Sequence, residues 1–128
     1  MNNTTKNIVF IVVALVIILV AVFSLQKAGG PDPKMDEFAS CLKDKGATFY
    51  GAFWCPHCKE QKRVLGNSKN IPYVECSTPD GQSMTPVCKE KGIESFPTWV
   101  FADGTSVTGE TPLTDLASKT GCTLPTTN

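Results

Sequence analysis

The chain has little of several things that would mark other kinds of protein. It has no charge excess, with 12 Lys and Arg against 12 Asp and Glu. From residue 34 onward the balance is ten basic against eleven acidic residues, an ordinary solvated mixture. No basic stripe, internal repeat or glycine-rich phosphate loop is present, so nothing points to nucleic acid or nucleotide. There is one histidine, and the Cys-x-x-Cys it interrupts is followed by Lys59 rather than by the histidine a haem attachment site needs. No second close cysteine pair accompanies it, as a structural zinc site would require. No metal or cofactor is therefore assigned. Charge is also missing from residues 8–23, sixteen residues of only Ile, Val, Leu, Phe and Ala. The fourteen most apolar of them favour insertion into a bilayer by roughly 4–8 kcal/mol, and the run to residue 25 is long enough to span one. A signal peptide is the other reading, but this apolar core exceeds the usual ~7–15 residues. Its small-residue site, Ala28-Gly29-Gly30, is followed by Pro31. An uncleaved anchor is expected. The flanking charges, Lys6 on one side and Lys27 and Lys34 on the other, orient it weakly. The six cysteines behind an export-competent segment place the rest of the chain in an oxidising, extracytoplasmic compartment.

What the chain does have is Trp54-Cys55-Pro56-His57-Cys58 at a strand-to-helix joint. Residues 48–53 are apolar and aromatic, which predicts a short buried strand. Pro56 is favoured as the first residue of a helix, where its missing N–H would have had no partner. Cys55 then becomes the N-cap, at the positive end of the helix dipole among free backbone N–H groups. That position favours the thiolate and lowers the thiol pKa. Cys58, one turn later, is close enough to form a disulfide with it. An activated, accessible thiol beside a resolving partner is the apparatus of thiol–disulfide exchange. An inert structural disulfide is the plainer alternative.

The remaining punctuation sets out a small domain. Residues 26–34 carry glycines and prolines and read as a linker. Apolar residues at 35, 38, 39 and 42 predict a helix over 35–45, stopped by Gly46. The strand at 48–53 follows, then the helix opened by Pro56 and stopped near Gly66. Residues 71–76 are a second strand, Pro79-Asp80-Gly81 a turn, and 86–91 a short helix closed by Gly92. Residues 98–101 and 106–109 flank Asp103-Gly104 as a hairpin. Thr111-Pro112 caps a last helix with Leu113, Leu116 and Ala117 on one face and Gly121 as its stop. This order predicts an α/β fold, a small mixed β-sheet flanked by helices, behind an N-terminal transmembrane helix. The divisions are a cytoplasmic 1–7, anchor 8–25, linker 26–34, domain 35–123 and a frayed tail 124–128.

Trp-Cys-x-x-Cys after a strand, then Gly92-Ile93-Glu94-Ser95-Phe96-Pro97-Thr98 and a hairpin ending in Gly109, resembles the thioredoxin superfamily over roughly residues 47–120. More narrowly, residues 50–59, Tyr73-Val74-Glu75-Cys76 and Phe96-Pro97-Thr98-Trp99 resemble the thioredoxin-like domains that accompany bacterial homologues of vitamin K epoxide reductase. The resemblance implies a relay from the thiols of exported, cysteine-containing proteins to that quinone-linked membrane oxidase. It implies that Pro97 is cis, faces the active-site cysteines and offers the Phe96 backbone to a substrate peptide. It also exposes a departure. The buried acid that thioredoxins carry six residues before the first cysteine corresponds to Phe49, so proton transfer at Cys58 needs another group or water. The Pro56-His57 dipeptide is that of strongly oxidising periplasmic enzymes. His57 can bring positive charge or a hydrogen bond to the Cys55 thiolate, making the disulfide a better oxidant, or it can be a solvent-facing histidine without a role.

The other four cysteines admit three pairings. Cys41 lies on the inward side of the first domain helix and Cys122 follows the last, so a bond between them would clamp the ends of the domain. An ~80-residue loop is worth roughly 4 kcal/mol in the chain-entropy model. Cys76 and Cys88 make a second, local bridge, structural rather than a second redox pair. The function expected is a membrane-anchored oxidoreductase with Cys55 and Cys58 catalytic and Trp54, Phe96 and Pro97 shaping the substrate rim. A reductase or isomerase recharged by a membrane thiol reductase, or a non-catalytic disulfide-stabilised binding module, remains as an alternative.

Overall fold

The computed structural model describes residues 2–26 and 32–126. Residues 27–31 of the proposed linker, which hold its small-residue site, and the last two residues of the tail lie outside them, while the linker's two ends belong to helices. The N-terminal segment forms α1, Asn3–Gln26. Its residues Asn3–Phe23 have a mean hydropathy of 2.9 and are long and apolar enough to cross a membrane. It is a unit by itself.

The second unit runs α2 (Pro33–Asp44), β1 (Thr48–Gly51), α3 (Pro56–Val64), β2 (Tyr73–Glu75), α4 (Pro86–Glu90), β3 (Thr98–Val100), β4 (Ser106–Thr108) and α5 (Leu113–Thr120). α2 opens two residues earlier than the apolar spacing indicated. Asp32 is its N-cap, accepting from the Lys34 N–H at 3.0 Å, and Pro33 fills the first turn. The sheet order is β2-β1-β3-β4. β1 pairs β2 in parallel, with Phe49 opposite Tyr73 and Gly51 opposite Glu75. β1 pairs β3 antiparallel, with Phe49 opposite Trp99, and β3 pairs β4 antiparallel.

Alternation along β1 sends Phe49 and Tyr50 to opposite faces. Phe49 joins the larger core with Phe38 and Leu42 of α2, Cys58 of α3, Trp99 and Leu116 of α5. It stacks on Trp99 with ring centroids 4.9 Å apart. Tyr50 joins a smaller core with Cys76, Cys88 and Ile93. A disulfide links Cys41 to Cys122 with Cα atoms 5.9 Å apart, and another links Cys76 to Cys88 at 5.6 Å.

The expected hairpin across Asp103-Gly104 forms, with β3 and β4 as its arms. Gly104 N–H donates to Phe101 O and Phe101 N–H to Thr105 O, both at 2.9 Å, and Gly104 has φ +83°. The loop is therefore a three-residue type I turn with its glycine left-handed. Thr111 does not cap α5 with its side chain. Pro112 is the N-cap and its carbonyl accepts from Asp115 and Leu116, while Thr111 is held elsewhere. The tail is not free through residue 126, because Lys34 Nζ donates to Thr126 O at 2.8 Å and residues 123–126 line a cleft with α2.

Candidate active site

β1 delivers the chain to the mouth of α3, and Gly51 makes the delivery possible. A Cβ there would lie 2.9 Å from both Cys58 Sγ and Tyr73 Cε2, so only glycine lets the strand pass so close to the sulfur. After Gly51 the strand ends, and Cys55 N–H closes a turn onto Ala52 O at 3.0 Å. Phe53 was read as the last residue of the buried strand. It lies beyond the strand and is 47 % exposed, because the turn swings it outward.

Cys55 is the N-cap of α3, with φ −74° and ψ 119°, and Pro56 follows in the first turn. Its Sγ accepts the Cys58 N–H at 3.3 Å. This is the arrangement in which backbone donors and the helix dipole favour negative charge on a cap atom. Both thiols are unbonded. The sequence reading made Cys55 the accessible one, yet it retains only 4 % exposure and Cys58 1 %. Trp54, next to Cys55 in the chain, is half exposed; its indole N–H donates to Ser77 Oγ at 2.9 Å and its ring meets Phe96 edge-on at 6.1 Å. Trp54, Phe96, Ser77, Gly81 and Met84 line a hollow of about 190 Å³ against Cys76. The Phe96–Pro97 peptide is cis. Phe96 stands outside the strand ladders, whose pairing on β3 starts at Thr98.

Burial pushes the Cys58 thiol up to about 12, and its hydrogen bond with Cys55 adds to this; the Ala52 backbone and the charge of Lys62 oppose the rise. Lys62 lies one turn after Cys58 on α3. Its Nζ sits 3.3 Å from the centroid of the Tyr73 ring. Burial holds its ammonium below the usual lysine range, against the charges of Glu75 and Cys58. Tyr73 is raised by burial and by its hydrogen bond to Glu75. The Tyr73 hydroxyl donates to Glu75 Oε2 at 2.7 Å, and Glu75 Oε1 accepts from the backbone N–H of Phe53 at 3.2 Å and of Ser77 at 2.9 Å.

His57 does not take its hydrogen bond from the cysteines. Its Nδ1–H donates to Glu110 Oε1 across 2.5 Å, on the exposed side of α3. One turn on, the buried Gln61 accepts from Thr111 N–H at 2.7 Å and donates to Thr111 O at 3.1 Å. Gln61 thus completes the backbone of the loop before α5, while the Thr111 hydroxyl donates to Gly109 O at 3.3 Å rather than capping the helix. Sequence reasoning named Cys55, Cys58, Trp54, Pro56, His57, Phe96 and Pro97, and missed Lys62, Tyr73, Glu75, Gln61 and Glu110. Lys62 was within reach of it, because residues four apart share a helix face. Glu75 was not, since strand alternation gives two faces without saying which one meets α3.

No protein-family model matches the chain. Among curated proteins the chain is similar to the Thiol-disulfide oxidoreductase LTO1 of Arabidopsis thaliana, with 38 % identity over 112 residues. The activity in that relative's name is thiol–disulfide oxidoreduction. The aligned part is 83 % of this chain but 29 % of that protein, so the chain spans under a third of the relative's length.

Proposed function

We propose that the protein is a membrane-anchored thiol–disulfide oxidoreductase whose catalytic residues are Cys55 and Cys58. The observation that carries this reading is the cap geometry. Cys55 Sγ receives the Cys58 N–H at the start of α3, a position suited to a thiolate nucleophile and leaving group. A substrate thiolate bonds to Cys55 Sγ of the disulfide form, and the Cys55–Cys58 bond breaks with its electron pair on Cys58. A second substrate thiolate then attacks the substrate sulfur of the mixed disulfide, releasing Cys55. Two electrons and two protons pass from the substrate dithiol to the cysteine pair. Trp54, Phe96 and Pro97 form the rim where the substrate docks. α1 serves as the anchor, with the domain on the extracytoplasmic side. The substrates are exported proteins with free cysteines, and the acceptor is a quinone-linked membrane oxidase resembling vitamin K epoxide reductase.

Dithiothreitol-dependent reduction of insulin tests the chemistry. It is expected to be lost in Cys55→Ala, and activity surviving that substitution would make the domain a binding module. Direction is set by the potential: near about −120 mV fits the oxidant, near about −270 mV a reductant. The acceptor is tested with Cys58→Ala in native membranes, where partners remain bonded to Cys55. Recovery of a quinone-linked oxidase is expected, and recovery of a membrane thiol reductase instead would reverse the electron flow.

A further inference from the structure

Phe49 leaves Cys58 without an acid on β1, and the ionisable groups that face the sulfur come from α3 and β2. They are Cys55 at the helix cap, Lys62 one turn on, and Tyr73 on the neighbouring strand, with Glu75 behind them against Tyr73 and Lys62. We propose that Lys62 is the proton carrier for Cys58, held in place by Tyr73 and Glu75. The proposal rests on the redox reading of Cys55 and Cys58.

Lys62 shares a helix face with Cys58 and is half-buried. Its ammonium rests on the Tyr73 ring, 3.3 Å from the centroid, a cation–π seat that fixes an otherwise flexible side chain. The edge of the same ring and Cys58 Sγ converge on Gly51, each 2.9 Å from where a Cβ would stand. The platform under Lys62 is thus also a wall of the space around the sulfur. Glu75 locks that platform. Its carboxylate accepts from the Tyr73 hydroxyl and from the backbone N–H of Phe53 and Ser77, tying β2 to the segment that leads into Cys55. Tyr73 is held as the neutral phenol and is unsuited to carry the proton. Lys62 suits the task, since burial disfavours its charged form while the negative charge of the Cys58 thiolate favours its protonated one. Asn67 and Lys69 line the same cleft and are exposed, giving Lys62 a route to solvent.

The step balances as follows. When a substrate thiolate bonds to Cys55 Sγ, the Cys55–Cys58 bond breaks and Cys58 leaves as the thiolate. Lys62 Nζ gives it a proton, leaving a neutral amine that is reprotonated by water. In the reverse direction the amine takes the Cys58 proton, and the thiolate attacks the mixed disulfide between Cys55 and the electron acceptor.

The test uses the full chain in detergent micelles, with its Cys55–Cys58 disulfide reduced by excess dithiothreitol. Tryptophan fluorescence reports the rate, corrected for the thiolate fraction of the reagent, across about pH 6–10. The wild-type rate is expected to fall as Lys62 loses its proton. Lys62→Met should slow the reaction about tenfold or more at neutral pH and abolish that limb. Lys62→Arg should stay within about threefold of the methionine variant, because a guanidinium keeps the charge but does not release a proton. Glu75→Gln should keep the limb and move it to lower pH, a shift that a merely structural residue would not cause. A wild-type rate in Lys62→Met, full rescue by Lys62→Arg, or an unmoved limb in Glu75→Gln would each overturn the proposal. Should Lys62→Met fail to fold, the arginine and glutamine variants decide it alone. A wild-type disulfide inert to dithiothreitol would sink the underlying redox reading, a separate result.

Discussion

Two pairs of cysteines sit on opposite faces of β1, and their burial does not tell them apart. Cys55 and Cys58 retain 4 % and 1 % exposure, and Cys76 and Cys88 none. Gly51 touches both pairs, its carbonyl accepting the Cys76 N–H at 2.8 Å while its Cα faces Cys58. The difference is in the surroundings. Cys76 and Cys88 are bonded to each other and pack among the apolar side chains of Tyr50, Ile93, Val74, Met84, Phe96 and Val100. Cys55 and Cys58 are separate thiols at a helix N-terminus, within the influence of Lys62 and Tyr73, which Glu75 in turn holds. On the proposed reading, neighbours that can stabilise and protonate a thiolate are what would make the first pair a redox site and leave the second a staple.

The largest effect that would break this comparison is on turnover. Cys55→Ala is expected to remove insulin reduction, whereas the double substitution Cys76→Ala and Cys88→Ala should keep it and cost about 3 kcal/mol of stability by loop entropy, read by urea unfolding. Comparable loss of activity in both would erase the distinction. Next comes Phe49→Asp, which restores an acid six residues before Cys55 but puts it in the stack with Trp99. Loss of the ring and burial of a charge should cost about 4 kcal/mol or more, so thermal unfolding should occur far below wild type. Gly51→Ala is expected to cost about 1–3 kcal/mol and to disturb Cys58 rather than the Cys76–Cys88 bond, as seen in alkylation rates. Gln61→Leu removes both hydrogen bonds to Thr111 and should cost about 1–3 kcal/mol, with unfolding in urea as the measure.

The last effect is a pH dependence. The folded Cys58 pKa lies above that of an unfolded thiol. Its contribution to the stability of the dithiol form is therefore complete below about pH 8 and is lost as pH rises toward about 12. The Cys55–Cys58 disulfide form has no such thiol, so its stability should lack this alkaline decline. Parallel unfolding curves of the two forms from neutral to alkaline pH check the sign.

The element order was legible because Pro33, Pro56 and Pro86 open helices and Gly46, Gly66, Gly92 and Gly121 follow their ends with positive φ. The position of Cys55 at a helix cap followed from Pro56 alone. Side-chain partners across elements were not legible. The pairing of His57 with Glu110 and of Gln61 with Thr111 depends on how the loop before α5 folds back on α3, fifty or more residues away in sequence. Phe53 misled because an aromatic residue continuing an apolar run reads as strand, while the turn at Ala52 decides its exposure. Lys62, Tyr73 and Glu75 form one unit only once β2 is placed parallel to β1 with Tyr73 opposite Phe49.

The most direct test of the distinction between the two pairs is a redox titration of the full chain, with each cysteine pair followed by differential alkylation and mass spectrometry. Cys55–Cys58 is predicted to open and close reversibly at a potential well above that of Cys76–Cys88, which should stay bonded to below about −300 mV. Reduction of Cys76–Cys88 first, or no reversible bond between Cys55 and Cys58, would contradict the account.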